Sequence, residues 1–255
     1  MTAEEKSVIA SFLDLSGDYL RDGFAIDRAE YGFKDDLPLA YLVEEPEDEN
    51  ISGQIADSPE AINSEISSCR TCGLFSTRSK TVPGEGAVHP LVMVIGEGPG
   101  ADEDREGKPF VGRAGQLLDK MLSSIGLSRE KNCYIANIVK CRPPGNRDPS
   151  PEEITACIPF LERQIKMLRP LVILCAGRVA AQSLLKTSQG VNNLRMSFSQ
   201  YNPDNGEPIP VLCTFHPSAV LRDDSLKRPA WEDLKLLRSR LILLDKEYAS
   251  LSGES

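Results

Sequence analysis

The sequence predicts an α/β domain with a central four-stranded parallel sheet in a three-layer α/β/α arrangement. Four short apolar runs carry this prediction, because each is almost continuously apolar and rich in β-branched residues, as strands covered on both faces are. Segments of helical pattern separate the runs, which is the order expected of a parallel sheet. The predicted strands are LVMVIGE at 91–97, CYIANIV at 133–139, LVILCAG at 171–177 and VLCTFH at 211–216.

Three segments between these runs are predicted to be helices, at residues 114–125, 151–168 and 178–185. Pro151 suits the first turn of the second helix, where its missing N–H is not needed. A thiol inside a strand usually serves as a small apolar side chain. Three cysteines fall inside the predicted strands and are therefore expected in the core: Cys133, Cys175 and Cys213.

The formal charge of −9 is divided unevenly along the 255 residues. Residues 1–66 carry 17 acids and 4 bases, whereas residues 67–255 carry 21 acids and 25 bases, a net charge of +4. A mildly basic domain can approach a phosphate backbone, and an acidic segment cannot do so directly. We therefore divide the chain into an acidic extension, residues 1–57, and a domain of residues 58–255.

The acidic extension has two parts. Apolar residues recur at near-helical spacing in its first part, so we expect an amphipathic helix over residues 3–21. After Tyr31 the chain is rich in Asp, Glu and Pro, as in EEPEDEN at 44–50, which is typical of a linker. The helix would pack on the domain, bind a protein partner or be disordered.

The apolar stretches are all shorter than the roughly 20 residues that a membrane span needs. The first residues carry acids where a signal peptide carries bases. We therefore expect a soluble, cytoplasmic monomer with no membrane partner. In a reducing compartment its seven cysteines would stay as thiols or bind metal.

Four of the cysteines, Cys69, Cys72, Cys141 and Cys157, are spaced like metal ligands rather than disulfide partners. The first two form a C-x-x-C pair in a turn-like segment, and a Pro- and Gly-rich loop separates the last two. Zinc and iron–sulfur clusters both accept four thiolates. The spacing alone therefore leaves the metal open.

Glycines and polar residues follow three of the predicted strands at their carboxyl ends, where open α/β sheets bind ligands. The first strand runs into GEGPG at 96–100, the second passes Asn137, and the fourth delivers His216. The glycines match neither a phosphate loop nor a dinucleotide fingerprint, so we expect no nucleotide cofactor. His216 is a better candidate donor than His89, which precedes the first strand.

These residues resemble the family-four uracil-DNA glycosylases of bacteria and archaea. The resemblance covers residues 60–245, approximately, and includes the four cysteines. It implies hydrolysis of the N-glycosidic bond of deoxyuridine in DNA, and a [4Fe-4S] cluster on the four thiolates, with zinc as the alternative. The matching segments are GEGPGADEDREGKPFVGRAGQLLD at 96–119, NIVKCRPPGNR at 137–147 and FHPSAVLR at 215–222.

The resemblance also implies roles for three residues. Phe110 would stack on uracil, Asn137 would read its amide edge, and His216 would stabilise the leaving group. Asn137 can donate to O4 and accept from N3–H, whereas cytosine presents the opposite pattern. Each residue also has a purely structural alternative. Phe110 would be a core aromatic, Asn137 would hydrogen-bond to a neighbouring loop, and His216 would cap a turn.

Two glutamates accompany them in the first matching segment. We expect Glu103 to form the steric wall that excludes the methyl group of thymine. Backbone N–H groups around Glu97 and Gly98 suit the developing charge on uracil O2, and the Glu97 carboxylate could orient water or stabilise the sugar cation.

DNA contacts are expected beside these motifs, with an ordinary solvated basic face as the alternative. Val220 or Leu221 could wedge into the vacated base stack. A non-catalytic iron–sulfur or zinc module that binds nucleic acid or a polymerase is the rival function, and a flavin- or nucleotide-binding redox protein is a third. The candidate DNA contacts are Arg142, Asn146, Arg147, Ser218, Leu221 and Arg222.

Overall fold

The computed structural model describes residues 57–203 and 206–251, and these residues form a domain with a six-stranded sheet. Its strand order is β1-β3-β2-β4-β6-β5. The four central strands are parallel and coincide with the four predicted runs, while β1 and β5 add antiparallel edges that were not predicted. The strands are β1 Glu85–Gly86, β2 Val92–Gly96, β3 Cys133–Asn137, β4 Val172–Ala176, β5 Phe198–Tyr201 and β6 Ile209–Thr214.

Helices connect the strands. Two of the three predicted helices have the predicted bounds, and the third is found at Arg113–Ser123 instead of 114–125. Short 3-10 helices occupy Gly73–Ser76, Pro144–Asn146 and Asp224–Leu226. The α-helices are α1 Pro59–Ser68, α2 Ala101–Glu106, α3 Arg113–Ser123, α4 Pro151–Leu168, α5 Arg178–Leu185, α6 Val191–Leu194, α7 Pro217–Arg222, α8 Lys227–Leu244 and α9 Lys246–Leu251.

Apolar side chains cover both faces of the sheet, which confirms the three predicted layers. One core cluster packs β2, β4 and β6 against Leu161 and Ile165 of α4 and the alanines of α5. The other packs the opposite face against Leu118 of α3 and Leu237 of α8. The cysteines of β3, β4 and β6 are fully buried in these clusters, as predicted.

The helix α4 begins at a capping box, which fixes the loop before it. The Ser150 hydroxyl accepts a hydrogen bond from the backbone N–H of Glu153 at 3.3 Å, and the Glu153 carboxylate accepts one from the Ser150 N–H at 2.8 Å. Pro151 occupies the first turn.

The predicted helix at 3–21 and the predicted linker lie outside the described residues. Across the described residues, none of the helices has both the length and the apolar composition required to traverse a bilayer.

Candidate active site

A cavity of about 570 Å³ opens at the carboxyl ends of the parallel strands. All four parallel strands contribute to its lining. Glu97 and Gly98 follow β2, Asn137 ends β3, Gly177 follows β4, and His216 lies two residues beyond β6. The strand ends that the sequence analysis singled out therefore do meet around one space, and the end of β4 joins them.

Phe110 is held in an unusual backbone conformation at the wall of this cavity. Its φ is +53°, and its carbonyl accepts a hydrogen bond from Arg129 Nη2 at 2.9 Å. Two glycines make room for it: a Cβ on Gly96 would lie 2.6 Å from the ring, and one on Gly115 would lie 1.8 Å from the Phe110 carbonyl oxygen. The Phe110 ring centroid is 5.6 Å from that of His216, with an interplanar angle of 32°.

Asn137 presents an unpartnered amide oxygen at the end of β3. Its side chain lines the cavity, although the residue as a whole is only 1% exposed. No described residue hydrogen-bonds to its Oδ1. A buried acceptor without a partner costs roughly 1–3 kcal/mol, so it usually marks a place where a ligand or water completes the bonding.

His216 is fixed in one tautomer by the start of α7. Its Nδ1 accepts a hydrogen bond from the Ser218 backbone N–H at 3.1 Å, and the Ser218 hydroxyl lies 2.8 Å away. Burial lowers the pKa of His216 to about 4; the positive charge of Arg222 contributes, and Glu103 opposes the shift. At neutral pH the ring is therefore uncharged, with its proton on Nε2 available for donation.

We expect an NMR titration of histidine ring signals to give His216 a pKa of about 4, well below the ordinary value of 6.5. Between these pH values the unfolded chain binds a proton that the folded chain does not, so His216 makes the protein less stable as pH falls. The chain has two histidines, and a His89→Gln variant leaves one signal to assign. A His216 midpoint near 6.5 would contradict the buried, capped ring.

Glu97 lies half-buried at the mouth of the cavity, beside an ion pair. Burial raises the pKa of the Glu97 carboxyl, Asp148 raises it further, and Arg178 opposes both. Arg178 forms an ion pair with Asp148, and both residues line the cavity. This pair was not predicted, although Arg178 directly follows the third predicted strand and its position alone could have indicated it.

Glu103 braces the loop that carries Phe110. One carboxylate oxygen accepts hydrogen bonds from the backbone N–H groups of Val111 and Gly112, both at 2.9 Å, and the other accepts one from Gly100 at 3.0 Å. Glu103 also lines the cavity. The steric exclusion of thymine expected of it stays a prediction. The bracing contacts show that it holds the loop in place.

Four of the six expected DNA contacts line the cavity: Asn146, Arg147, Ser218 and Arg222. Arg142 Nε donates to the Asn146 side chain at 2.8 Å, on the loop after β3. Arg147 makes a bidentate ion pair with Glu153, at 2.7 and 2.8 Å, so a phosphate would have to share or displace that carboxylate.

The α7 side of the mouth supplies the remaining expected contacts. Arg222 Nη1 lies 3.4 Å from the Ser218 hydroxyl, and both residues line the cavity. Leu221 is 40% exposed, whereas Val220 is 2% exposed and packs inside the domain. Val220 therefore cannot act as a wedge, and Leu221 is the remaining candidate.

The four cysteines proposed as ligands line a second, small cavity next to the first. Cys69 follows α1, Cys72 precedes the 3-10 helix at Gly73–Ser76, Cys141 follows β3, and Cys157 lies within α4. Three segments thus supply the four thiols: the loop after α1 carries Cys69 and Cys72, and the loop after β3 and α4 carry one each. Within residues 57–203 and 206–251, no three Cys, His, Asp or Glu side chains are grouped as ligands of a single metal ion.

Nitrogen donors lie beside two of these sulfur atoms. Arg78 Nη1 donates to Cys141 Sγ at 3.1 Å, and the Lys140 backbone N–H donates to Cys157 Sγ at 3.2 Å. Burial raises the pKa of Cys157 to about 11. Such donors stabilise thiolates, and a bound metal would supply the remaining stabilisation that buried thiolates need.

Comparison with known proteins places these motifs in one family. Residues 83–235 match the Uracil DNA glycosylase superfamily. The chain is 44% identical over 182 residues to the Type-4 uracil-DNA glycosylase of Archaeoglobus fulgidus, covering 70% of this chain and 91% of that protein. It is 41% identical over 197 residues to the enzyme of the same name from Sulfurisphaera tokodaii, covering 75% and 88%. For that of Saccharolobus solfataricus the identity is 42% over 190 residues, covering 72% and 87%.

Proposed function

The chain belongs to the uracil-DNA glycosylase superfamily, and from this premise we propose which of its residues hold, read and release the base. It hydrolyses the bond between uracil and deoxyribose in DNA and leaves an abasic site for repair. The single observation that carries the assignment of residues is the meeting of Phe110, Asn137 and His216 around one cavity.

Uracil inside a duplex is out of reach, so it must rotate into the cavity, at a cost of a few kcal/mol. Phe110 offers the face on which the base stacks, worth about 1–3 kcal/mol and insensitive to base identity. Its position is supported by the close approach of Gly96 to the ring and of Gly115 to the Phe110 backbone. Leu221, exposed on α7, is proposed to fill the vacated stack.

Asn137 supplies the selectivity for uracil over cytosine. Its Nδ2 donates to uracil O4, and its Oδ1 accepts from N3–H. The unpartnered state of Oδ1 supports this proposal, because uracil would supply the missing donor. Cytosine presents a donor and an acceptor in the reverse order, and such mismatches between buried polar groups cost several kcal/mol.

The neutral His216 ring stabilises the departing base. Cleavage of the glycosidic bond leaves negative charge on uracil O2, and a donor aimed at that atom lowers the barrier. The bond from Ser218 to Nδ1 supports this role, because it leaves Nε2–H as the donor. The backbone N–H of Gly98 is proposed as a second donor.

The Glu97 carboxylate acts on the sugar side of the bond. Positive charge develops on the deoxyribose as the base leaves, and an anion at the mouth of the cavity stabilises it. The same carboxylate can orient the attacking water. Burial raises the pKa of Glu97, which strengthens it as a base, while Arg178 favours its charged form.

An oligonucleotide assay tests the enzymatic function. We expect a strand with a single deoxyuridine to break at that position after incubation with the protein and then alkali, whereas matched strands with cytosine or thymine stay intact. A non-catalytic nucleic-acid module would bind the strand and leave it whole. That result would contradict the function.

We propose that Cys69, Cys72, Cys141 and Cys157 hold a [4Fe-4S] cluster. Their common cavity supports a shared group. Zinc and iron–sulfur clusters both accept four thiolates, and the similarity to Type-4 uracil-DNA glycosylases favours the cluster. A bound cluster would cross-link three segments of the domain: the end of α1, the loop after β3, and α4.

Protein purified without oxygen is expected to absorb light at about 400 nm and to contain about four iron atoms per chain. A Cys141→Ser variant should lose both signals, while Cys175→Ser, a core cysteine of β4, should keep them. Colourless protein with one zinc per chain would contradict the cluster.

Uracil-containing DNA is the substrate. We further propose that the protein is a cytoplasmic monomer and that the acidic extension, residues 1–57, binds a protein partner, since its acidic composition opposes contact with DNA.

A further inference from the structure

Lys140 is buried to an extent that is rare for a lysine, and no step of the mechanism above uses it. Its side chain is 1% exposed and is the largest of the fully buried side chains. Taking an ammonium group out of water costs several kcal/mol unless good partners replace the water. Lys140 lies three residues beyond Asn137, directly before Cys141.

The partners of the ammonium join the end of β3 to α4. Lys140 Nζ donates to the backbone carbonyl of Asn137 at 2.9 Å and to Gln164 Oε1 at 2.7 Å. Gln164 is itself buried, and its Nε2 donates to the Pro83 carbonyl at 2.9 Å. The carbonyl of the base-reading residue is thus tied to a helix through two side chains.

The anchor on the backbone carbonyl matters because none of the described residues holds the side-chain amide oxygen of Asn137 by a hydrogen bond. The direction of that amide follows from the backbone position of Asn137 and from the close packing of Gly96, whose added Cβ would lie 2.4 Å from Oδ1. A shift of the carbonyl would therefore turn the amide away from the edge of the base.

We propose that Lys140, supported by Gln164, is a positioning residue for uracil recognition: its ammonium fixes the backbone of Asn137 and thereby the orientation of the amide that reads uracil. The inference rests on the proposed role of Asn137. It assigns no direct contact between Lys140 and the DNA.

Replacing Lys140 by methionine keeps an unbranched side chain that is one heavy atom shorter and removes the donor. Because misplacement of a substrate-positioning group by about 1 Å can cost about 100-fold, we expect single-turnover excision of uracil to fall 10- to 100-fold. Affinity for the uracil-containing strand should change less than about threefold, because Lys140 is remote from phosphate in this account. Lys120→Met, at an exposed site on α3, is the matched control and should excise at the parental rate.

A double-mutant cycle separates positioning from general support of the fold. If Lys140 acts through the amide, Lys140→Met should slow the Asn137→Ala variant little or not at all. Multiplicative losses, or a parental rate for Lys140→Met alone, would overturn the inference. If Lys140→Met does not fold, Gln164→Met takes its place in the cycle, with a smaller loss and the same lack of additivity expected. A parent protein inactive on uracil would instead refute the proposed function itself.

Discussion

Asn137→Asp is expected to slow single-turnover uracil excision by about 1,000-fold, the upper range for loss of a group that acts on the reacting base. The aspartate has no Nδ2 donor for uracil O4 and places a second acceptor against that oxygen. Affinity for uracil-containing DNA should change little, because most of it comes from phosphate contacts outside the cavity.

The control for this variant is Asn63→Asp, which makes the same chemical change on α1, outside the cavity. Its excision rate should stay within about twofold of the parent, as is usual for substitutions away from a site. A decrease of less than tenfold for Asn137→Asp, or a loss of DNA affinity as large as the loss of rate, would remove Asn137 from its assigned role.

Gly115→Ala is expected to lower the free energy of unfolding by about 3 kcal/mol or more, in the range of severe overpacking. In an ordinary helix the change would stabilise, since alanine is about 1 kcal/mol better than glycine. Here the new methyl group would lie 1.8 Å from the carbonyl oxygen of Phe110 and 2.0 Å from its carbonyl carbon. Backbone atoms cannot give way as a flexible side chain does, so steric repulsion outweighs helix propensity.

Denaturant unfolding of Gly115→Ala and Gly190→Ala measures this effect. Gly190 has no atom within 4 Å of an added Cβ, so its variant should unfold like the parent. A Gly115→Ala protein as stable as the parent would mean that the segment around Phe110 is not packed against α3 as described.

Much of the fold could be predicted because parallel strands that are buried on both faces have continuous apolar sequences. The edge strands have no such signal: β1 has two residues, and β5 reads FSQY, with no buried position. The helix α8 was also not predicted, although Leu234, Leu237 and Leu241 recur at helical spacing.

The candidate site was partly predictable for a different reason. Parallel strands end at one edge of a sheet, so polar residues at those ends must lie close together. The pairing of Lys140 with Gln164 depends instead on how α4 packs against β3, and spacing along the chain does not carry that information. The ion pair of Arg147 with Glu153 was partly predictable, because Ser150 and Glu153 form a capping box that can be recognised in the sequence.

A crystal structure of the protein with bound uracil would show where the base lies and which side chains contact it. We predict that the base lies against the ring of Phe110, with the Asn137 amide at O4 and N3–H and His216 Nε2 at O2. Uracil bound outside this cavity, or bound inside it with its amide edge turned away from Asn137, would contradict the account.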